Sequence, residues 1–79
     1  MTEVYSVRCD CGEDSTITLY DTPEKARTAA DEQFEYIYSE LEKENYPGLY
    51  AGKGEDHWLI FVPDTGISYD WYVEEHIVH

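Results

Sequence analysis

The residues able to ligate a transition metal or supply a nucleophile are Cys9, Cys11, His57, His76 and His79. Zinc sites in short chains use paired ligands, typically two cysteines at a fixed spacing matched by a second pair. Here the spacing is Cys-x-Cys, and the histidines stand apart. A tetrahedral site would require the first hairpin to abut the ends of the last strands, so neither metal nor cofactor is expected. A cysteine nucleophile needs a thiolate beside a histidine, and an acidic surrounding opposes the thiolate. Gly52-Lys53-Gly54 resembles a fragment of a phosphate loop, without its flanking glycine, its Ser/Thr or a following helix. With 18 acidic residues, acid–base pairs can be drawn anywhere, and none singles itself out. The residue types predict a protein that is not an enzyme.

What remains is electrostatic chemistry. Eighteen acidic residues against five basic ones give a net charge of −13, with acids in nearly every segment. Direct binding to nucleic acid or to an anionic membrane is disfavoured, because those surfaces call for Lys and Arg; a basic partner is favoured. An apolar share of 42% and an aromatic share of 15% argue against disorder despite this charge. No apolar run approaches the roughly 18 residues a membrane helix needs, and no charged-then-apolar leader opens the chain, so cytoplasmic residence is the expectation. Cys9 and Cys11, two residues apart, are poorly placed to bond to each other and make no disulfide framework.

The helix predicted over Asp21–Glu44 must position eight of the 18 acids. Thr22 is a natural N-cap and Pro23 suits the first helical position. Ala26, Ala30, Phe34, Ile37 and Leu41 form one apolar stripe. Glu24, Asp31, Glu35 and Glu42 fall together on the opposite side, roughly 27 Å from first to last at 1.5 Å per residue. Lys25, Arg27 and Lys43 lie outside that line. Ordinary surface helices mix signs four residues apart, whereas Asp31 and Glu35 repel each other.

Around the helix, Glu3–Cys9 reads as a strand, Asp10–Asp14 as a polar turn, and Ser15–Tyr20 as a second strand, with Ile17 and Leu19 on one side. Asn45–Asp56 reads as a long loop whose Tyr46, Leu49 and Tyr50 give it apolar content. His57–Val62 is a continuous apolar run, the best candidate for a central strand. After a turn at Pro63–Gly66, Ile67, Tyr69, Trp71 and Val73 share one face of a last strand, and Glu74–His79 either extends it or frays. The expectation is a single α+β domain over residues 1–79: an antiparallel sheet of about four strands, ββαββ, with the helix packed on one face against Leu59, Phe61 or Trp71.

The segments VYSV, LYDTPEKARTAADE and YDWYVEEHIV resemble small, mostly phage-encoded ββαβ-type domains of unassigned function. In those, an aliphatic or Tyr-rich strand is followed by a Thr/Ser-x-Glu-Lys-Ala helix start, and the chain closes on an aromatic-Val/Ile-Glu-Glu strand. The resemblance spans about half the chain, implies the fold and a phage or mobile-element origin, and transfers no catalytic residue. By size and acidity the chain is also similar to anti-CRISPR and other DNA-mimic inhibitors. Together these give the expected function: an acidic binding protein that inhibits a basic nucleic-acid-binding protein of host defence by occupying Lys/Arg sites meant for phosphates. The expected partner-binding residues are Glu24, Asp31, Glu35, Tyr38 and Glu42 on the helix and Glu13 and Asp14 in the first turn. Tyr36, Tyr38, Tyr46, Tyr50, Tyr69 and Tyr72 exceed what so small a core can hold; exposed Tyr beside carboxylates suits contact with Arg, or else covers the edges of a thin core. The alternative is a generic interaction module whose charge serves solubility or salt tolerance.

Overall fold

A computed structural model of the chain describes residues 2–12 and 14–78. Five strands and one helix follow in the order β1 (Thr2–Cys11), β2 (Asp14–Tyr20), α1 (Pro23–Lys43), β3 (Tyr50–Lys53), β4 (His57–Val62) and β5 (Ile67–Val78). The strands form one antiparallel sheet in the order β2-β1-β5-β4-β3. The arrangement is therefore ββαβββ rather than ββαββ, since part of the expected loop Asn45–Asp56 pairs along β4.

The helix begins where its cap residues require. Thr22 has extended backbone angles and its hydroxyl accepts from the Lys25 amide at 3.2 Å, with Pro23 following at the first helical position. At the other end Asn45 adopts a left-handed conformation, φ 56°, and its amide donates to the Glu42 carbonyl at 3.1 Å. Asn tolerates that region better than most residues, so it stops the helix cleanly.

Alternation divides the sheet into two faces. Tyr5, Val7 and Cys9 of β1, Tyr69, Trp71 and Val73 of β5, and Trp58 and Ile60 of β4 face the helix. Ala26, Ala30 and Phe34 are buried against them, with Ile37 and Leu41 packed at the margin. The expected stripe is thus the packed one. Its partners are Trp71 together with Trp58 and Ile60; Leu59 and Phe61 alternate to the other face, and Phe61 is exposed.

β5, not β4, is the middle strand, and the residues after Val73 extend it to Val78. β1 likewise runs on to Cys11, shortening the expected turn. The long β1–β5 pairing makes the molecule elongated, 47 × 22 × 16 Å. No second layer covers the opposite face among the described residues, and no helix is long and apolar enough to cross a membrane.

Candidate functional site

Two indoles clamp the helix, one on each flank. Trp58 Nε1 donates to Asp31 at 3.2 Å, and Trp71 Nε1 donates to Gln33 at 3.1 Å. Both rings sit in the core, so each needs a polar partner for its N–H, and the helix supplies it. Phe34 meets Trp71 edge-on at 6.0 Å between ring centroids, and Tyr38 stacks parallel to Phe34 at 6.0 Å.

Lys53, in the strand that sequence reasoning missed, reaches the Trp58 flank. Its ammonium lies 2.9 Å from Asp31, also bonds Glu35, and stands 5.2 Å from the centre of the Phe34 ring. The hydrogen bond from Lys53 is the main reason the Asp31 carboxyl lies below its ordinary range, with burial opposing and the Trp58 N–H assisting. The hydrogen bonds it donates to the same two carboxylates push the Lys53 ammonium up. Asp31 and Glu35 therefore do not face each other as bare charges; a cation from another element lies between them.

The expected partner-binding residues separate accordingly. Glu24 and Glu42 are exposed and Asp14 is exposed at the start of β2, and none has a cation within ion-pair distance among the described residues. Asp31 and Glu35 are engaged by Lys53, and Tyr38 caps the core. Glu13 lies outside the described residues. Glu32, absent from the expected set, is exposed beside an apolar groove of about 320 Å³ lined also by Cys9, Gln33, Tyr36, Ile37, Tyr69 and Trp71. Tyr36 stands 66% exposed at its rim. The i, i+4 relation of Glu32 and Tyr36 was readable in the sequence; what hid it was the groove, which needs β1, β5 and the helix together.

The remaining cations are also taken. Arg27 pairs with Asp56 at 2.8 Å, Lys25 with Asp21 at 3.0 Å and Lys43 with Glu40 at 3.3 Å. Arg8, on the open face, lies 3.2 Å from Glu74 and 3.5 Å from Asp10, the latter an ion pair too long to count as a firm hydrogen bond. Its guanidinium covers the Tyr72 ring at 4.6 Å, and Tyr72 stacks on His57 at 4.4 Å, whose Nε2 is 3.1 Å from Asp70.

The candidate metal ligands are divided by the sheet. Cys9 and Cys11 face the helix, whereas His57 and His76 project from the open face, His76 against the Ser6 hydroxyl at 2.9 Å. Among the described residues no three metal-ligating groups converge. His79 lies outside them. Both cysteines are free thiols. Burial, reinforced by Cys11, Asp10 and Asp70, pushes the Cys9 thiol up, and burial likewise raises Tyr69.

Comparison with protein-family models, with curated proteins and with solved structures finds no match.

Proposed function

We propose that the protein acts by binding, as an acidic inhibitor of a basic nucleic-acid-binding protein, of the phage anti-defence type that includes anti-CRISPR proteins. One observation carries this reading. Each of the five Lys and Arg side chains is held in an ion pair with this chain's own carboxylates, so the charge offered outward is almost wholly negative. Glu24, Glu32 and Glu42 on the helix and Asp14 at the first turn are free of such pairing among the described residues, and they stand where Lys and Arg of a partner can replace phosphate contacts.

The groove supports the same chemistry. A guanidinium entering beside Glu32 meets a carboxylate and the face of Tyr36 together, the combination that favours Arg over Lys. Inhibition is then competition. The carboxylates attract the basic site, the aromatic rim supplies contact area, and nucleic acid is excluded.

The test begins with capture from host lysate and identification of a bound nucleic-acid-binding protein. A gel-shift assay of that protein with its own nucleic acid should lose the shifted band as this chain is added. A band that persists at saturating inhibitor rejects competition.

A second reading, a generic acidic interaction module, rests on the scatter of Glu55, Asp64 and Glu75, exposed acids that lie outside the helix. For such a module, capture yields partners whose nucleic-acid binding is unaffected.

A further inference from the structure

The two edges of the sheet are built differently. β3 is four residues long, contains Gly52, and ends in Lys53, which is drawn over the helix; short, glycine-containing, charged edges resist further pairing. β2 is seven residues long, and Ser15–Tyr20 contains no charge, Gly or Pro. Thr16, Ile17, Thr18 and Tyr20 are strong strand formers. All of β2 except Tyr20 is exposed.

Its hydrogen-bonding groups are equally available. The β1–β2 hairpin closes on the pair Cys11 and Asp14. In such a hairpin the closing pair shares hydrogen bonds and alternate pairs do the same, so Asp14, Thr16, Thr18 and Tyr20 bond inward. The N–H and C=O groups of Ser15, Ile17 and Leu19 then point away from the sheet. On the open face, the Ile17 and Leu19 side chains are 66% and 63% exposed and stand beside Val4.

We propose that β2 pairs antiparallel with β2 of a second copy of this chain, giving a two-fold dimer with one continuous sheet twice as wide. The strand is self-complementary about Thr18. With Thr18 on the two-fold axis, Ile17 faces Leu19 of the second copy and Leu19 faces its Ile17, so the exposed apolar side chains close into one strip. On the helix side Thr16 faces Tyr20. The acids at the strand ends do not meet directly: Asp14 falls opposite Thr22, and Asp21 opposite Ser15. Pairing exchanges bonds between the outward groups of Ile17 and Leu19, which no other part of the described chain satisfies.

Charge sets the conditions. Two copies each carrying −13 repel, and salt screens that repulsion over about 10 Å at 0.1 M. Dimerisation therefore strengthens as salt rises, opposite in sign to the binding of a basic target. A seam of this length falls below the roughly 1,200 Å² of a standard stable interface, so the dimer is concentration-dependent.

Sedimentation equilibrium of the full chain at about 0.1–1 mM protein, in about 0.05–1 M NaCl, tests this. The weight-average mass should climb from near 9.2 kDa toward twice that with both protein and salt. Ile17→Lys should weaken dimerisation by at least about tenfold, although it lowers the net charge, because an edge lysine opposes strand pairing. Leu19→Pro deletes one outward N–H where an edge strand tolerates Pro, and should act likewise. Phe61→Lys, on the β4 side of the open face, should leave the dimer unchanged. Circular dichroism confirms each fold, and if Leu19→Pro does not fold, Ile17→Lys decides alone. A mass that stays monomeric throughout or falls with salt overturns the proposal. So does an Ile17→Lys chain that dimerises like the parent, or loss of the dimer in Phe61→Lys.

Discussion

The indole of Trp58 donates to Asp31 across 3.2 Å, so one carboxylate of the acidic helix is anchored to the core. Lys53 completes the arrangement by holding Asp31 and Glu35 together. On the other flank Trp71 and Gln33 make the matching contact at 3.1 Å. The rotation of the helix about its own axis is thereby fixed by polar groups as well as by its alanines and Phe34. Charge on this helix has a structural role and, on the function proposed above, a binding role, and the two fall on different residues.

The first role predicts a pH dependence. Lys53 chiefly, with Trp58, holds the Asp31 carboxyl below its ordinary value of 3.8. A folded-state pKa below the unfolded one contributes stability that is complete above the unfolded value and is lost as pH falls through the folded value. Asp21, lowered by its bond from Lys25, titrates in the same window, so the readout is a difference between chains. Asp31→Asn should be less stable than the parent at pH 7, by about 1 kcal/mol or less once solvent screening is allowed for. The gap should narrow only as pH falls below the ordinary 3.8. Urea melts above and below that pH check it, and parallel curves for the two chains contradict the assignment.

Phe34 is 4% exposed and touches Trp71 and Tyr38. Phe34→Ala should cost about 3–5 kcal/mol, a large part of the stability of so small a domain. Denaturant melts that shift by less than about 1 kcal/mol would mean that the helix is seated on a different stripe.

Much of this was legible along the chain because it is local. Thr22-Pro23 marks the helix start, the Ala26–Leu41 spacing marks its buried side, and Ile67, Tyr69, Trp71 and Val73 alternate as a half-covered strand must. β3 was not legible. Tyr-Ala-Gly-Lys has little strand character by itself, and its conformation comes from pairing Tyr50 with Phe61 and Lys53 with Trp58. The run HWLIFV suggested a middle strand because its apolar residues are consecutive. In the fold it alternates after all, with Trp58, Ile60 and Val62 buried and Phe61 left on the open face. The candidate site was legible as a list of carboxylates but not as a set. Which acids are spoken for depends on where Lys53, Arg27 and Arg8 arrive from other elements.

Cysteine reactivity offers a third check. Burial first, then Cys11, Asp10 and Asp70, raises the Cys9 thiol above its ordinary 9.0. In a Cys11→Ser chain, alkylation of Cys9 by iodoacetamide at pH 8 should be slower than in the urea-unfolded chain, because the thiolate is the reacting form and burial, the first cause of the shift, remains. The folded rate should continue to rise beyond pH 9. A plateau below that pH would show a thiol that its surroundings do not penalise.

The second role of the helix charge predicts that the carboxylates can be divided by mutation. Reversing Glu24, Glu32 and Glu42 to Lys removes acids that have no cationic partner among the described residues. The fold should survive, with a small cost of about 0.3–1 kcal/mol at Glu24, where the helix N-terminus prefers an acid. Binding to a basic target should be lost, and the parent's binding should weaken steeply with salt, since exposed charges are screened. Reversing Asp31 and Glu35 does something different. It sets two new cations against Lys53 and leaves the Trp58 N–H without its acceptor. That chain should lose stability, so any loss of binding would follow from loss of fold. Circular dichroism melts and titrations over a salt series, run on both variants, separate the two roles. A Glu24/Glu32/Glu42 variant that stays folded and binds as tightly as the parent removes the phosphate-replacement mechanism and leaves the interaction module. An Asp31/Glu35 variant as stable as the parent removes the structural role assigned to Lys53.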